Sequence, residues 1–237
     1  MTPRLAPIAT LRLAAAGCAG TGGAAAARPE FTVVSSRSPG PDVVLEAAAV
    51  EPARPGTERW QRTDRDAGFE VRTSVEGAAM TRTDPRGTRL IERTADGALA
   101  LREQRDAADG SATAFEPPLT LAPATLRAGE EPAFAARVTA VRAGLASDDG
   151  GSARRTVRIA SVDRVRTPLG EFDAVRVDAV LDMKLPFASM RRETSTWVRP
   201  GDGPVAVRSD ERILVMGIVP RNTAETRVRL PGGGGAP

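Results

Sequence analysis

Histidine and tyrosine are absent from this chain of 237 residues, and Cys18 is its only cysteine. Without histidine, the chain cannot form a Ser-His-Asp or Cys-His catalytic group or an imidazole metal site. A single cysteine also excludes an intrachain disulfide and a cysteine-rich metal cluster. We therefore expect a protein that is not an enzyme and that uses no cofactor and no metal ion.

A surplus of one charge sign is also missing. The formal net charge is only +3, although the isoelectric point is near 10.2. Because no histidine or tyrosine titrates between the carboxylates and the arginines, this small imbalance is enough to raise the isoelectric point. The arginines are interleaved with acids, as at Glu70 and Arg72. Phosphate binding needs a stripe of one sign, so we expect no nucleic-acid partner.

The N-terminus has the layout of a bacterial lipoprotein signal. Arg4 supplies the positive start, residues 5–17 are mostly apolar and small, and Cys18 follows at the lipidation position. This predicts a signal peptide over residues 1–17, a lipid on Cys18, and a flexible tether over residues 18–42. The protein would then be periplasmic and lipid-anchored to a membrane of the bacterial cell envelope. The alternative is that Cys18 is an ordinary small residue of an alanine-rich leader.

Apolar and polar residues alternate along most of the remaining chain. Phe69, Val71 and Val75 would share one face of a strand, and residues 175–185 alternate over the longest run. Frequent Asp-Gly and Pro-Gly turn signals separate these runs, which indicates antiparallel hairpins. We expect one all-β domain over residues 43–230 and a disordered tail over residues 231–237. Residues 132–144 also fit a helical period, but their alternation favours a strand.

Four motifs of this region contain aromatic residues, prolines and glycines: Pro52, Gly56 and Trp60; Glu116, Pro117, Pro118 and Gly129; Thr167, Pro168, Gly170 and Phe172; Trp197, Pro200, Gly201 and Gly203. Together these motifs resemble those of TapB-like bacterial envelope lipoproteins. The resemblance implies a strongly curved antiparallel sheet, similar to the half-barrel of lipoprotein carriers, and no catalytic residues. We interpret the aromatic residues as structural anchors of the core and the glycines as turn residues.

Few remaining side chains could carry chemistry. Lys184 and Ser189 could form a Ser-Lys pair, but alternation places Lys184 on the polar face of its strand. The pairs Glu171 with Asp173 and Asp178 with Asp182 have a spacing that any strand face provides. Residues 191–193, Arg-Arg-Glu, could form a polar patch beside Trp197, although a solvated strand edge is the better interpretation.

Two functions from different classes fit these expectations. The first is a carrier that binds an apolar ligand, such as an acyl chain, on the concave face of its sheet, because small aliphatic side chains leave room there. The alternative is a structural or assembly module that docks on another envelope protein, with an exposed edge strand pairing with its partner. In either case we expect a monomer that contacts the membrane through its N-terminal lipid.

Overall fold

The computed structural model describes residues 28–142, 145–146, 150–186 and 188–232. Cys18, the predicted signal peptide and residues 233–237 of the predicted tail therefore lie outside the described residues. The single helix within this part of the chain is α1 (Ala47–Val50). The strands are β1 (Thr32–Arg37), β2 (Val44–Glu46), β3 (Gly56–Arg62), β4 (Gly68–Glu76), β5 (Ala79–Asp84), β6 (Gly87–Arg93), β7 (Leu99–Asp106), β8 (Ala112–Ala122), β9 (Thr125–Arg127), β10 (Ala133–Arg142), β11 (Leu145–Ala146), β12 (Gly151–Thr167), β13 (Gly170–Leu185), β14 (Ala188–Arg199), β15 (Gly203–Val215) and β16 (Val219–Arg229).

Twelve of these strands form a closed antiparallel barrel. The order runs from β12 through β16, continues from β3 through β8, and ends at β10, which pairs again with β12. The predicted all-β, antiparallel architecture is confirmed, but the predicted half-barrel is wrong. Pairing of β10 with β12 joins the two edges that a half-barrel would leave open, and it satisfies their backbone hydrogen-bonding groups.

The seam strand β12 also receives the N-terminal strand. One edge of β12 pairs with β13 along almost its whole length. The other edge pairs with β10 over Gly151–Thr156 and with β1 over Val162–Arg166. Residues 32–37 were expected to belong to a flexible tether, and this part of that prediction is wrong. The edge of β12 that β10 does not reach would expose unpaired backbone groups, and β1 covers it.

The strand β10 covers the region where the sequence also fits a helix. Ala136 and Val138 are buried within the barrel core, with 7% and 0% of their surface exposed. They alternate with exposed residues such as Arg137, as the period of two predicts. The strand interpretation is confirmed. No helix in the described ranges is long and apolar enough to cross a membrane.

A short segment of chain enters the barrel lumen. We call β2 and α1 together, Val44–Val50, the luminal segment. Helix α1 contacts β8 on one side and β14 and β15 on another, strands that are far apart around the ring. Ala47 packs in an apolar cluster built mainly from β5 to β8, and Leu45 packs in a second cluster built from β12 to β14. The segment therefore fills the apolar part of the lumen between these two walls.

A third cluster lies on the outer face of the barrel. Trp197 is buried there beside Ala174, Ala206 and Val228. Phe31, which precedes β1, covers Trp197 with its ring edge toward the indole, at a centroid distance of 4.6 Å. The N-terminal segment thus protects an apolar patch that the barrel wall would otherwise expose.

Candidate functional site

The lumen contains a cavity of about 190 Å³ beside the luminal segment. Its polar wall is strongly cationic, because among the described residues six arginines and one carboxylate line it. The carboxylate belongs to Glu51, which directly follows α1. The arginines come from β5, the β5–β6 turn, β6, β12, β14 and β16: Arg82, Arg86, Arg89, Arg155, Arg192 and Arg227.

Strand register brings two of these arginines together. Arg82 of β5 is directly opposite Arg89 of β6. Each shares its face with a buried apolar residue of the same strand, Met80 and Ile91 respectively, so alternation directs both guanidinium groups into the lumen. Like charges directly opposite each other on a sheet are destabilising unless another group compensates them.

Glu51 supplies part of that compensation. Its Oε1 lies 2.8 Å from Nη1 of Arg82 and 3.9 Å from Nη2 of Arg89. Burial raises the pKa of Glu51, but attraction to Arg82, Arg89 and Arg155 outweighs burial and leaves the pKa below its usual value. The carboxylate is therefore ionised at neutral pH and bound by the arginine wall.

Arg155 has weaker compensation. Its neighbours on the inward face of β12 are Val157 and Ile159, both buried. Nε of Arg155 donates a hydrogen bond to the carbonyl oxygen of Leu121 at 3.2 Å. Within the described ranges, Arg155 forms no ion pair with a carboxylate. Burial, together with the charges of Arg192 and Arg89, lowers its pKa to about 10, although Glu51 opposes this shift.

The other three arginines of the wall have carboxylates of their own. Arg86 and Arg227 both pair with Glu225, and Arg227 also lies 3.7 Å from Asp84. Arg192 pairs with Glu211, its cross-strand neighbour on β15.

The remaining group of Arg82, Arg89 and Arg155 shares Glu51. Arg82 also reaches Glu58 at 3.6 Å, but Glu58 lies equally close to Arg229. The buried Nε of Arg82 has no hydrogen-bond partner in the part of the chain that the structure describes. Burial also lowers the pKa of Arg89, as does the neighbouring Arg82. These guanidinium groups are poorly solvated and undercompensated, so an added anion would find unsatisfied donors.

An apolar wall completes the cavity. Trp60 of β3 also lines it, with 3% of its surface exposed, and its Nε1 donates to Oε2 of Glu58 at 3.2 Å. A ligand here would meet guanidinium donors and hydrocarbon side by side, because Leu181 lies opposite both Arg155 and Arg192 in the strand register. The apolar side chains are Leu101, Phe115, Leu119, Leu121, Leu181, Met183 and Met190.

The other predicted anchors lie away from this cavity. Trp197 is 4% exposed in the outer cluster, where Phe172 packs partly buried beneath the guanidinium of Arg199. Gly170 and Gly201 occupy turns with φ of 109° and 80°, a region that favours glycine. The predicted anchors thus divide between the two faces of the barrel wall, and Trp60 alone among them lines the cavity.

The carboxylate of Asp163 lies beside Trp197 on the outer face of the barrel wall. Asp163 is fully buried, and its Oδ2 accepts a hydrogen bond of 2.8 Å from Nε1 of Trp197. Its Oδ1 accepts one of 2.6 Å from Oγ of Ser36 on β1. Arg176 lies 3.9 Å away. Burial raises the pKa of Asp163, but the hydrogen bonds and Arg176 lower it by a larger amount. The pKa therefore lies below its usual value, and the carboxylate stays ionised.

The residues weighed for catalysis are exposed or held in ion pairs. Lys184 and Ser189 lie opposite each other on β13 and β14 but are both exposed, and Asp182 pairs with Arg191 at 3.2 Å. Glu171 is bound by two arginines, Arg164 and Arg166.

Residues 191–193 form neither the solvated strand edge that was preferred nor the polar patch that was the alternative, because β14 pairs on both sides and the three side chains do not share a face. Alternation sends Arg192 into the lumen, whereas Arg191 and Glu193 pair on the outer face at 2.9 Å. Across the described part of the chain, no group of three or more metal-binding side chains is placed to hold an ion.

Sequence reasoning missed the luminal arginines and Glu51. Only Arg155 gave a signal, because it shares a face of its strand with Ala153, Val157 and Ile159, where a charge is costly. Arg82 and Arg89 gave none, since their strand faces also carry the charged Asp84 and Arg93. The position of Glu51 carried no comparable signal, because it depends on the entry of the luminal segment into the barrel.

Comparisons of this chain with protein-family models, with curated proteins and with solved structures found no match.

Proposed function

We propose that this chain is a non-enzymatic, lipid-anchored protein of the bacterial envelope that binds a small organic anion in its barrel lumen. One observation carries the proposal: Arg82, Arg89 and Arg155 share the carboxylate of Glu51 at a cavity that apolar side chains also line. A ligand carboxylate would give these arginines a second acceptor, and hydrogen bonds between charged groups are the strong ones.

The cavity volume limits the ligand. An apolar cavity of about 150 Å³ holds benzene, so about 190 Å³ suits a ligand of about eight non-hydrogen atoms. Hexanoate has this size and combines a carboxylate with a short hydrocarbon chain. A long acyl chain, the ligand expected from the sequence, would need the luminal segment to move. The lining therefore favours a short amphipathic anion.

Calorimetric titration of the full-length protein with hexanoate and with 1-hexanol tests this function. We expect hexanoate to bind at least about tenfold more tightly than the uncharged alcohol. Arg155→Met should weaken hexanoate binding by a similar factor without unfolding the protein, because Arg155 has no ion pair to lose among the described residues. Arg154→Met is the matched control, since the neighbouring Arg154 is exposed on the outer face.

Two results would contradict the luminal site. Equal affinities for hexanoate and 1-hexanol would show that the arginines do not contribute to binding. Absence of hexanoate binding up to about 10 mM would show that the lumen is not a binding site for such anions. The anchor has a separate test: radiolabelled palmitate should mark the wild-type protein in its host and should not mark the Cys18→Ser variant.

A further inference from the structure

An uninterrupted apolar run ends the β15–β16 hairpin. Residues 213–219, Ile-Leu-Val-Met-Gly-Ile-Val, contain no polar or charged side chain. Met216 and Ile218 are 76% and 78% exposed, and Leu214 and Val219 are 38% and 48% exposed. We call these four exposed side chains the apolar tip. A contiguous exposed cluster of large apolar side chains marks an interaction surface.

Positive charge surrounds the apolar tip. Arg212 and Arg221 flank the run, and Lys184 of the neighbouring hairpin is level with Leu214, since Ser189 pairs with both. These three side chains, which we call the basic collar, are exposed and form no ion pair among the described residues. Arg191 also lies opposite Arg212, but Asp182 and Glu193 compensate its charge. The collar therefore carries an uncompensated positive charge.

We propose that the apolar tip and its basic collar dock on a lipid bilayer that contains anionic headgroups. Surfaces that combine exposed hydrocarbon with adjacent Lys and Arg bind the interface of such bilayers, with the apolar groups among the acyl chains and the cations at the phosphates. The collar favours this occupant over an apolar protein groove, because three unpaired cations would lose solvation in such a groove. The tip would enter the interface, while the barrel stays outside it.

The path of the N-terminus agrees with this orientation. The strands alternate in direction around the barrel, so the β3–β4 and β15–β16 connections lie at the same end. Arg28, where the described chain begins, pairs with Asp66 of the β3–β4 connection at 3.1 Å. The N-terminal segment thus meets the barrel at the end that carries the tip.

The available chain length is also sufficient. On β16, Val219 lies eight residues before Arg227, the first residue that pairs with β3, which corresponds to about 27 Å along the strand. The ten residues from Cys18 to Arg28 can span at most about 35 Å. A lipid on Cys18, as proposed above, could therefore sit in the same bilayer as the tip. This step uses the proposed anchor, whereas the docking surface does not.

Vesicle flotation of the full chain carrying Cys18→Ser tests the tip without any attached lipid. We expect this protein to float with vesicles of phosphatidylcholine and phosphatidylglycerol and to bind phosphatidylcholine alone much more weakly. Met216→Ser and Ile218→Ser should each weaken binding about tenfold. Val75→Ser is the matched control, because Val75 is 41% exposed at the opposite end of the barrel. Arg221→Gln should reduce both the affinity and its dependence on salt.

A fluorescent probe reports insertion directly. Trp60 and Trp197 are 3% and 4% exposed, so their emission should not respond to vesicles. A Met216→Trp variant should shift to shorter wavelength on anionic vesicles, and brominated lipids should quench it.

Unchanged flotation of the Met216 and Ile218 variants would overturn the proposal, as would a protein that ignores both vesicle types. Residues 219–226 of β16 do not pair with β3. Crosslinking of this part of β16 to an envelope protein without vesicle binding would assign it to strand addition instead. Hexanoate binding should be the same in every tip variant, so failure here is separable from failure of the luminal site.

Discussion

Two carboxylates of this barrel, the buried Asp163 and the partly buried Glu51, have opposite surroundings. Asp163 lies on the outer face and accepts hydrogen bonds from Trp197 and Ser36, with one arginine 3.9 Å away. Glu51 lies in the lumen and faces three arginines. In the first case the acceptors are matched by donors, and in the second the donors exceed the acceptor. A matched group holds the fold together, whereas a surplus of buried donors is a site for a further anion.

The largest effect should come from Asp163→Ala. The change leaves the buried indole N–H of Trp197 without its acceptor and removes the hydrogen bond from the exposed Ser36, which should cost about 3 kcal/mol of unfolding free energy. For a chain of this size the thermal midpoint should fall by about 6–12 °C. Because Ser36 ties β1 to the barrel, hydrogen exchange of β1 should also accelerate.

The control for this variant is Asp173→Ala. Asp173 is an exposed acid of β13 that pairs with Arg37 and Arg164 on the surface, so its loss should change stability by at most about 0.5 kcal/mol. Hexanoate affinity should be unchanged in both variants. A drop in affinity with Asp163→Ala would show that the two carboxylates are not separate in function.

The second-largest effect on stability should come from Glu51→Gln. Loss of the carboxylate leaves the buried Arg82 and the partly buried Arg89 and Arg155 without their shared acceptor and should destabilise the free protein by about 2 kcal/mol. The same change should strengthen hexanoate binding about tenfold, because the ligand no longer competes with Glu51. Urea denaturation with and without hexanoate measures both quantities.

An unchanged or weaker hexanoate affinity in the Glu51→Gln variant would contradict this difference between the two carboxylates. It would mean that Glu51, like Asp163, already satisfies the donors around it and that the luminal arginines have no N–H group available for a ligand. Glu46→Gln, at an exposed residue just before α1, controls for effects on the luminal segment.

The sequence predicts local features of this molecule well. Alternation depends on neighbouring residues, so β10 was correctly predicted to be a strand despite its competing helical period. Closure of the barrel was missed, because pairing of β10 with β12 gives no pattern within either strand. The pairing of β1 was missed for a similar reason, since Ser36 and Asp163 are 127 positions apart.

The candidate site also has one part that the sequence indicates and another part that only the three-dimensional structure shows. Arg155 stands out in sequence as a charge on an apolar strand face, whereas the position of Glu51 among Arg82, Arg89 and Arg155 depends on the three-dimensional path of the luminal segment. Trp60 and Trp197 were given one role from sequence, yet closure of the barrel places one inside and one outside. Which face of a strand becomes the lumen cannot be read from alternation alone.

The smallest effect is a difference in acid stability. The ordinary pKa is 4.5 for a glutamate side chain and 3.8 for an aspartate side chain, and the pKa values of Glu51 and Asp163 both lie below these ordinary values. A lowered folded-state pKa contributes stability that is fully present above the unfolded-state value and is lost as pH falls through the folded-state value. The wild type should therefore lose stability below about pH 4.5, and Glu51→Gln should lose less over the same range, because one of the two groups no longer titrates.

A sulfonate ligand sharpens this last difference. Hexanesulfonate stays ionised in acid, so it can replace the acceptor that Glu51 withdraws on protonation. It should therefore protect the wild type more strongly in acid, once the pH falls below the lowered pKa of Glu51, than at pH 7, measured as the urea midpoint by circular dichroism. It cannot reach Asp163, which is fully buried, so the acid loss due to that group should persist. Equal protection at both pH values would show that protonation of Glu51 frees no binding capacity in the lumen.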